Sequence, residues 1–359
     1  MQFKLPGFSQ GSLVGLDIGS SSVKAVEIGV KGKNKGFELK NLGIAPLPPE
    51  AIVQGAFLNS SAIVDSIKEA IDNGRIKTKE VAAAVSGHSV IVKKVSLPAM
   101  TRSELEDQIQ WEAEQYIPFD VNEVNLDFQI LDTSEGEGEM DVLLVAVKRD
   151  LIDDYVQVIT EAGLTPVCVD IAAFAVENAF DLNYEAEAND TIALVNVGSQ
   201  VVNISVVQDG IPGFTRDINT GGNQYTQEIQ KALSISFEEA ERIKLGGTAS
   251  DADQEVVPHE VEQAIRSVTD TVVGEIARSL DFFTATSSDA HITKVLLSGG
   301  GARMVGFDAA FAERTGLEVE VMNPLGRMMG GKGFDPEFLN EIGPSLSVGV
   351  GLATRKAVS

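Results

Sequence analysis

Residues 14–24 read Val14-Gly15-Leu16-Asp17-Ile18-Gly19-Ser20-Ser21-Ser22-Val23-Lys24, and the order of residue types in this stretch decides the fold. Two short apolar strands flank a glycine–serine turn. The first strand delivers Asp17 to the edge of the turn, and Gly19 lets the backbone come close to a ligand. Ser20, Ser21 and Ser22 add hydroxyls to successive backbone N–H groups, which makes an anion-binding concavity. Asp17 is badly placed to touch a phosphate directly but suited to hold a hydrated Mg²⁺. Taken alone, a tight hairpin with polar turn residues explains the stretch equally well.

The pattern recurs. Thr191–Val207 is again strand, turn, strand, with Asn196-Val197-Gly198-Ser199-Gln200 at the turn. A third element, Leu296-Leu297-Ser298-Gly299-Gly300-Gly301-Ala302, places consecutive glycines directly after a buried strand. Glycines there admit a flat ring or ribose, and the helix that follows turns its positive end inward. The succession of two hairpin turns and a strand running into three glycines is far more specific than any one of them. It matches neither a Walker A loop nor the Rossmann glycine fingerprint.

Composition narrows the function classes. At 359 residues the chain is long enough for two packed α/β lobes. Hydrophobic residues make up 43% and charged residues 23%, the balance of a globular protein. Nothing approaches the ~18 consecutive apolar residues of a membrane span, and Met1–Gly7 lacks the apolar stretch of a secretory signal. A cytoplasmic location is expected. The single cysteine, Cys168, lies in an apolar run and reads as a buried, inert thiol. Lys and Arg total 28 against 53 Asp and Glu, a net charge of -25. That surface repels nucleic-acid backbones and anionic lipids, so neither nucleic acid nor direct membrane insertion is expected. His88, His259 and His291 are too scattered for a zinc site.

Between the first two turns, Ala62–Gly74 has helical spacing of Ile63, Ile67 and Ile71. Thr101-Arg102-Ser103-Glu104 is a capping box opening a helix that ends at Pro118. Leu105, Ile109, Ala113 and Tyr116 form its apolar stripe. Trp111 falls off that stripe, so it is either packed against a neighbouring lobe or open to a partner. Asn125–Leu131 and Asp141–Val147 read as a strand pair joined by the acidic loop Thr133–Glu139, taken as a solvated tip. Beyond the second turn lie helices near 223–232, 236–245 and about 254–283.

Here a family resemblance enters. Val14–Lys24 resembles the first phosphate loop of the actin, Hsp70 and sugar-kinase superfamily, Ala193–Ser199 its second, and Val295–Ala302 its adenosine motif. The resemblance implies an α/β, actin-like ATPase fold: two RNase-H-like lobes around a cleft for ATP and Mg²⁺, with an inserted α+β subdomain. It implies that Asp17, Gly19, Ser20, Ser21, Ser22 and Lys24 surround the phosphates from one lobe, with Asp17 toward the metal. Asn196, Gly198 and Ser199 approach from the other lobe, joined by Gly221 and Gly222 of the connecting segment. Glu241, Lys244 and Gly299–Ala302 (Gly299, Gly300, Gly301, Ala302) lie toward the adenosine. Ser236 with Glu239 is also a helix capping box, so the charges of 238–244 serve equally as a solvated face. The second loop of the superfamily commonly carries an acidic residue where this chain has Asn196. A neutral amide cannot help neutralise Mg²⁺ or polarise water as a carboxylate does, so any turnover is expected to be slow.

The block Gln110–Asp120 through Val124–Phe128 closely resembles the PilM family, with an FtsA-like inserted subdomain at this point. The expected divisions are a first lobe of 11–90 plus 168–190, an inserted subdomain of 91–167, and a second lobe of 191–359 with a helical part near 221–290. The resemblance implies a cytoplasmic ATP-binding adaptor of the type IV pilus inner-membrane platform. It would dock the N-terminal tail of a PilN-like membrane protein beside the inserted subdomain, meet other platform and motor proteins, and have homo-oligomers open to it. The acidic helix 104–114 would favour a tail carrying Lys or Arg. Two alternatives stay open. One is an FtsA-like filament-forming ATPase; FtsA proteins end in an amphipathic membrane-targeting helix, and with no such extension after the glycines of 348–352 direct membrane anchoring is disfavoured. The other is a small-molecule kinase, for which Asp217 is the nearest candidate base.

Overall fold

The structure, a computed structural model, describes residues 3–4, 13–30, 36–133, 138–186, 190–208, 210–246, 259–287, 291–330 and 333–355. The chain begins with Phe3–Lys4 (β1), Val14–Ile18 (β2), Ser22–Val30 (β3) and Phe37–Pro46 (β4). β2 and β3 pair antiparallel with Asp17 opposite Lys24 and Ile18 opposite Val23, which sets the serine turn between them. A small hairpin, Ile52–Val53 (β5) and Ala56–Phe57 (β6), leads into Ser60–Asn73 (α1). Asn59 caps that helix by accepting from the Ala62 N–H at 3.1 Å. Its Ile63, Ile67 and Ile71 are buried, as four-residue spacing on one helical face requires. Glu80–Val85 (β7) then lies parallel beside β2.

Val90–Pro98 (β8), Arg102–Ala113 (α2), Val124–Thr133 (β9) and Glu139–Lys148 (β10) build a separate three-stranded sheet in the order β8-β10-β9. The Thr101–Glu104 capping box is formed. The middle strand uses both faces, since successive side chains alternate across a strand. Val142, Leu144 and Ala146 pack with Leu105 and Ile109 of α2. Leu143, Val145 and Val147 join the core of the first lobe. The inserted sheet is thus seated on that lobe by its own central strand. Residues 134–137 of the acidic loop lie outside the described residues.

The boundaries of the insertion differ from those expected. Arg149–Glu161 (α3) places Ile152, Tyr155, Val158 and Ile159 in the first-lobe core, and Thr165–Ile171 (β11) pairs parallel with β7. The inserted sheet therefore closes at Lys148, not near 167. Cys168 on β11 is buried, as its apolar run predicts.

Ala172–Asn183 (α4) leads to the second sheet of Thr191–Val197 (β12), Val202–Gln208 (β13), Ile211–Ile218 (β14), Lys294–Ser298 (β15) and Glu318–Val321 (β16), ordered β14-β13-β12-β15-β16. Gly222–Leu233 (α5), Phe237–Lys244 (α6) and His259–Thr286 (α7) stand between β14 and β15, and Phe307–Thr315 (α8) follows β15. The chain then leaves this lobe. Met329–Gly330 (β17) pairs with β4, and after Pro336–Ile342 (α9), Ser347–Ala353 (α10) packs against α4, β2 and β3. The expected second lobe of 191–359 ends near 322. The C-terminal segment completes the first lobe because its Val350 and Leu352 fill the core beneath β2 and α4.

Candidate functional site: a cleft between two serine turns

The two turns face one another. Ser20 Oγ and Ser199 Oγ are 2.5 Å apart, so one hydroxyl of each lobe meets across the gap. Lys24 Nζ lies 3.1 Å from Asp17 Oδ2, cross-strand neighbours brought together by the β2–β3 register. Gln200 reaches over to the first lobe. Its Nε2 donates to Ile52 O at 2.7 Å, and its Oε1 accepts from the Gln54 N–H at 3.0 Å. These contacts hold the turns at a fixed separation around a cleft of about 1260 Å³.

Asp17, Gly19, Ser20, Ser21, Ser22, Lys24, Asn196, Gly198, Ser199, Gly222, Glu241, Lys244, Gly299, Gly300 and Gly301 all line this cleft. Gly221 and Ala302 do not. Gly221 packs against the second turn, where a Cβ would lie 2.4 Å from Gly198 O, and Ala302 is buried. The three consecutive glycines also divide in purpose. Gly299 has φ +87° and a Cβ there would meet Val197 O at 2.3 Å, so it serves the packing of one strand end on another. Gly300 alone of the three is exposed with open space at its Cβ position.

The start of α5 is bonded to the second turn: Gly222 N–H donates to Gly198 O at 2.9 Å and Asn223 N–H to Ser199 O at 2.8 Å. Lys244 holds this helix start. Its Nζ is 2.6 Å from Glu241 Oε2, donates to Thr226 Oγ1 at 3.1 Å and to Gly222 O at 3.4 Å. Ser236 and Glu239 form the capping box of α6 as well.

Asp217 does not line the cleft. Its Oδ1 accepts from Asn203 Nδ2 at 2.8 Å and its Oδ2 from the Gly87 N–H at 2.5 Å, and burial pushes the carboxyl above its ordinary range. Both oxygens being occupied by these donors, it is not placed to accept a substrate proton. Tyr155 of α3 does line the cleft, and burial, with the charge of Asp17 second, raises its phenol. Among the described residues no group of three or more His, Cys, Asp or Glu gathers as a metal site.

Several lining residues had no motif to announce them: Leu245, Arg266, Met304 and Val305. Leu245 is 70% exposed and Val305 94% exposed, so each offers an apolar surface to the opening. Val305 had a usable signal, an apolar residue placed just after the glycine motif. Arg266 had none, because only the packing of α7 turns it toward the cleft.

Trp111 is 65% exposed, which overturns its reading as a residue packed against the neighbouring lobe. Glu112, counted with the acidic face, is instead buried. The helix ends at Ala113, short of Pro118, and the chain turns so that Tyr116 sits beneath Lys93 Nζ, 5.5 Å from the ring centre.

The family model of the type IV pilus assembly protein PilM matches residues 15–357. The chain belongs to the PilM family. A solved PilM–PilN type IV pilus biogenesis complex is 28% identical to this PilM-family chain, with a TM-score of 0.85 over 97% of this chain and 99% of that one. Cell division protein FtsA of Bacillus subtilis is 24% identical over 258 residues. That match covers 64% of this chain and 57% of FtsA, less than two thirds of its length. MreB5 of Spiroplasma citri, solved with ADP, is 12% identical with a TM-score of 0.53 over 98% of each chain, a likeness of fold alone. The fold is that of the actin-like ATPases. Among the described residues no helix is long and apolar enough to cross a membrane.

Proposed function

We propose that this PilM-family chain is an ATP-binding adaptor of the type IV pilus inner-membrane platform, docking the N-terminal tail of a PilN-like membrane protein at the inserted sheet. The observation that carries the nucleotide half is the meeting of Ser20 and Ser199 across the cleft, with Asp17 and Lys24 on one side and the start of α5 on the other. The hydroxyls of both turns, the Lys24 ammonium and the positive end of α5 suit a polyphosphate, although the first N–H groups of that helix are bonded to the second turn. The residues present fit Mg²⁺ as well. A single carboxylate, already neighboured by Lys24, suits an ion that keeps most of its water and takes its remaining oxygens from phosphate.

The same residues make poor hydrolytic machinery. Asn196 is committed at both ends, its Nδ2 donating to Asn203 Oδ1 at 2.9 Å and its Oδ1 accepting from Ser298 Oγ at 3.4 Å. No carboxylate of the second turn is positioned to polarise water, so the adaptor holds its nucleotide longer than it cleaves it.

Titration calorimetry with Mg-ATP tests the nucleotide half. Asp17→Ala should weaken binding about tenfold or more, the loss of a charge-linked contact of ~1.4 kcal/mol or above. The pair with Lys24 is largely covered, 14% and 17% exposed, so the variant should also lose about 1–2 kcal/mol of stability while staying folded. Equal affinity in both proteins would remove Asp17 from the site.

The partner half is carried by the likeness to the solved PilM–PilN complex together with the exposure of Trp111. A large aromatic left open on an acidic helix is the kind of anchor that dominates interfaces. Trp111→Ala should lower the affinity of a synthetic peptide of a PilN-like N-terminal tail by about 2 kcal/mol, while thermal stability changes by less than ~0.5 kcal/mol. A large drop in melting temperature with unchanged peptide affinity would make Trp111 a packing residue after all.

A further inference from the structure

A continuous line of side-chain hydrogen bonds runs out of the cleft into the other lobe. Ser298 Oγ, at the end of β15, donates to Asn196 Oδ1. Asn196 Nδ2 donates to Asn203 Oδ1 on β13, Asn203 Nδ2 donates to Asp217 Oδ1 on β14, and the Gly87 N–H of the first lobe donates to Asp217 Oδ2. Each amide is used at both ends, so no member can rotate without breaking a neighbour's bond. The path begins among cleft-lining residues, since Asn196 and Asn203 both face it.

The far end is equally well placed. Gly87 belongs to the turn between β7 and β8, and its neighbour Ser86 lines the cleft. Gly87 O accepts from the N–H of Val90, the first residue of β8, at 3.0 Å, and Ser89 O accepts from the N–H of Lys148, the last residue of β10, at 3.1 Å. One short turn therefore pins two strands of the inserted sheet. Among the described residues no cation pairs with Asp217. A half-buried carboxylate held by two fixed donors and no cation is a costlier way to fill space than an apolar side chain.

We propose that Asp217 is a positioning residue that couples occupancy of the cleft to the inserted sheet, by tying the second serine turn through Asn203 to the Gly87 turn. The inference rests on the nucleotide reading above. A ligand that fixes Asn196 stiffens the path, and the Gly87 turn is held more firmly at the foot of β8. Binding in the cleft and docking on the inserted sheet are then linked, each favouring the other by the same factor.

The test is amide hydrogen exchange over residues 87–98 in the full chain, with and without saturating Mg-ATP. In the unaltered protein Mg-ATP should slow exchange there about fivefold or more, a coupling of ~1 kcal/mol. Asp217→Asn keeps the shape but loses one of two acceptors. The slowing should fall below about twofold while calorimetry still finds Mg-ATP affinity within about threefold. Asn203→Ser severs the path one link earlier and should lose the slowing too, which keeps the test available if Asp217→Asn does not fold. A merely structural role would speed exchange equally with and without Mg-ATP, leaving their ratio intact, and that result would overturn the proposal. Unaltered protein that binds Mg-ATP without any slowing overturns the coupling and spares the nucleotide reading. Failure to bind Mg-ATP at all overturns both.

Discussion

Gly351→Ala should destabilise the protein by about 3 kcal/mol, the upper range for forcing a methyl into a packed core. Gly351 sits in α10 against α4, where a Cβ would lie 1.7 Å from Ala175 O and 2.6 Å from its carbonyl carbon. Those are backbone atoms, so no side-chain rotation relieves the clash and one helix must move off the other. Phe174, Val176 and Phe180 of α4 are core residues, and that movement would loosen them. Urea unfolding should give a lower midpoint with an unchanged slope. Gly274→Ala in α7 is the matched control. Nothing lies within 4 Å of its Cβ position, so the exchange should gain about 0.5–1 kcal/mol from helix propensity. An unchanged midpoint for Gly351→Ala would mean that α10 does not lie on α4.

Arg355→Met should cost about 3–5 kcal/mol, because it leaves a buried charge without its partner. Asp170 at the end of β11 is 1% exposed. It is bonded to the Arg355 guanidinium and accepts from the Ile171 N–H at 2.8 Å. Burial raises its carboxyl above the ordinary value, and Arg355 opposes that rise. Removing Arg355 therefore raises it further. A folded-state value above the unfolded one means stability lost as pH rises, since the unfolded chain releases the proton more readily. The deficit of the variant should be larger at pH 8 than near pH 5. Urea titrations at the two pH values decide this, and equal deficits would mean that Asp170 is uncharged in both proteins.

Both effects concern the C-terminal segment, and that is where sequence reading stopped short. The stretch 347–353 is short, glycine-rich and uncapped by any side chain, so nothing local distinguishes it from a tail of the second lobe. Its place depends on glycines that let helix backbones approach carbonyl groups more than 170 residues earlier in the chain. Helix α3 belongs to the first lobe and not to the expected insertion of 91–167 for a similar reason. Its amphipathic spacing is plain, but spacing does not name the sheet that receives the apolar face. Trp111 makes the point on a single residue, since a helical wheel separates it from the Leu105–Ile109 stripe without saying whether another element covers it.

The cleft was more legible. Each of its three turns is a local strand–turn pattern whose glycines and hydroxyls carry their chemistry within ten residues, so their order along the chain revealed the actin-like fold. Strand pairing then placed Lys24 beside Asp17 with no further information, because β2 and β3 are adjacent in sequence. By itself the sequence determined the turns, the capping boxes, the apolar faces and the acidic character of the surface. Only the tertiary structure decided which turns meet, that Asp217 belongs to the Gly87 turn and not to a substrate, and that residues 347–353 belong to the first lobe. Those are contacts between residues far apart in the chain, fixed by the packing of whole sheets and helices, and no short window of residues contains both partners.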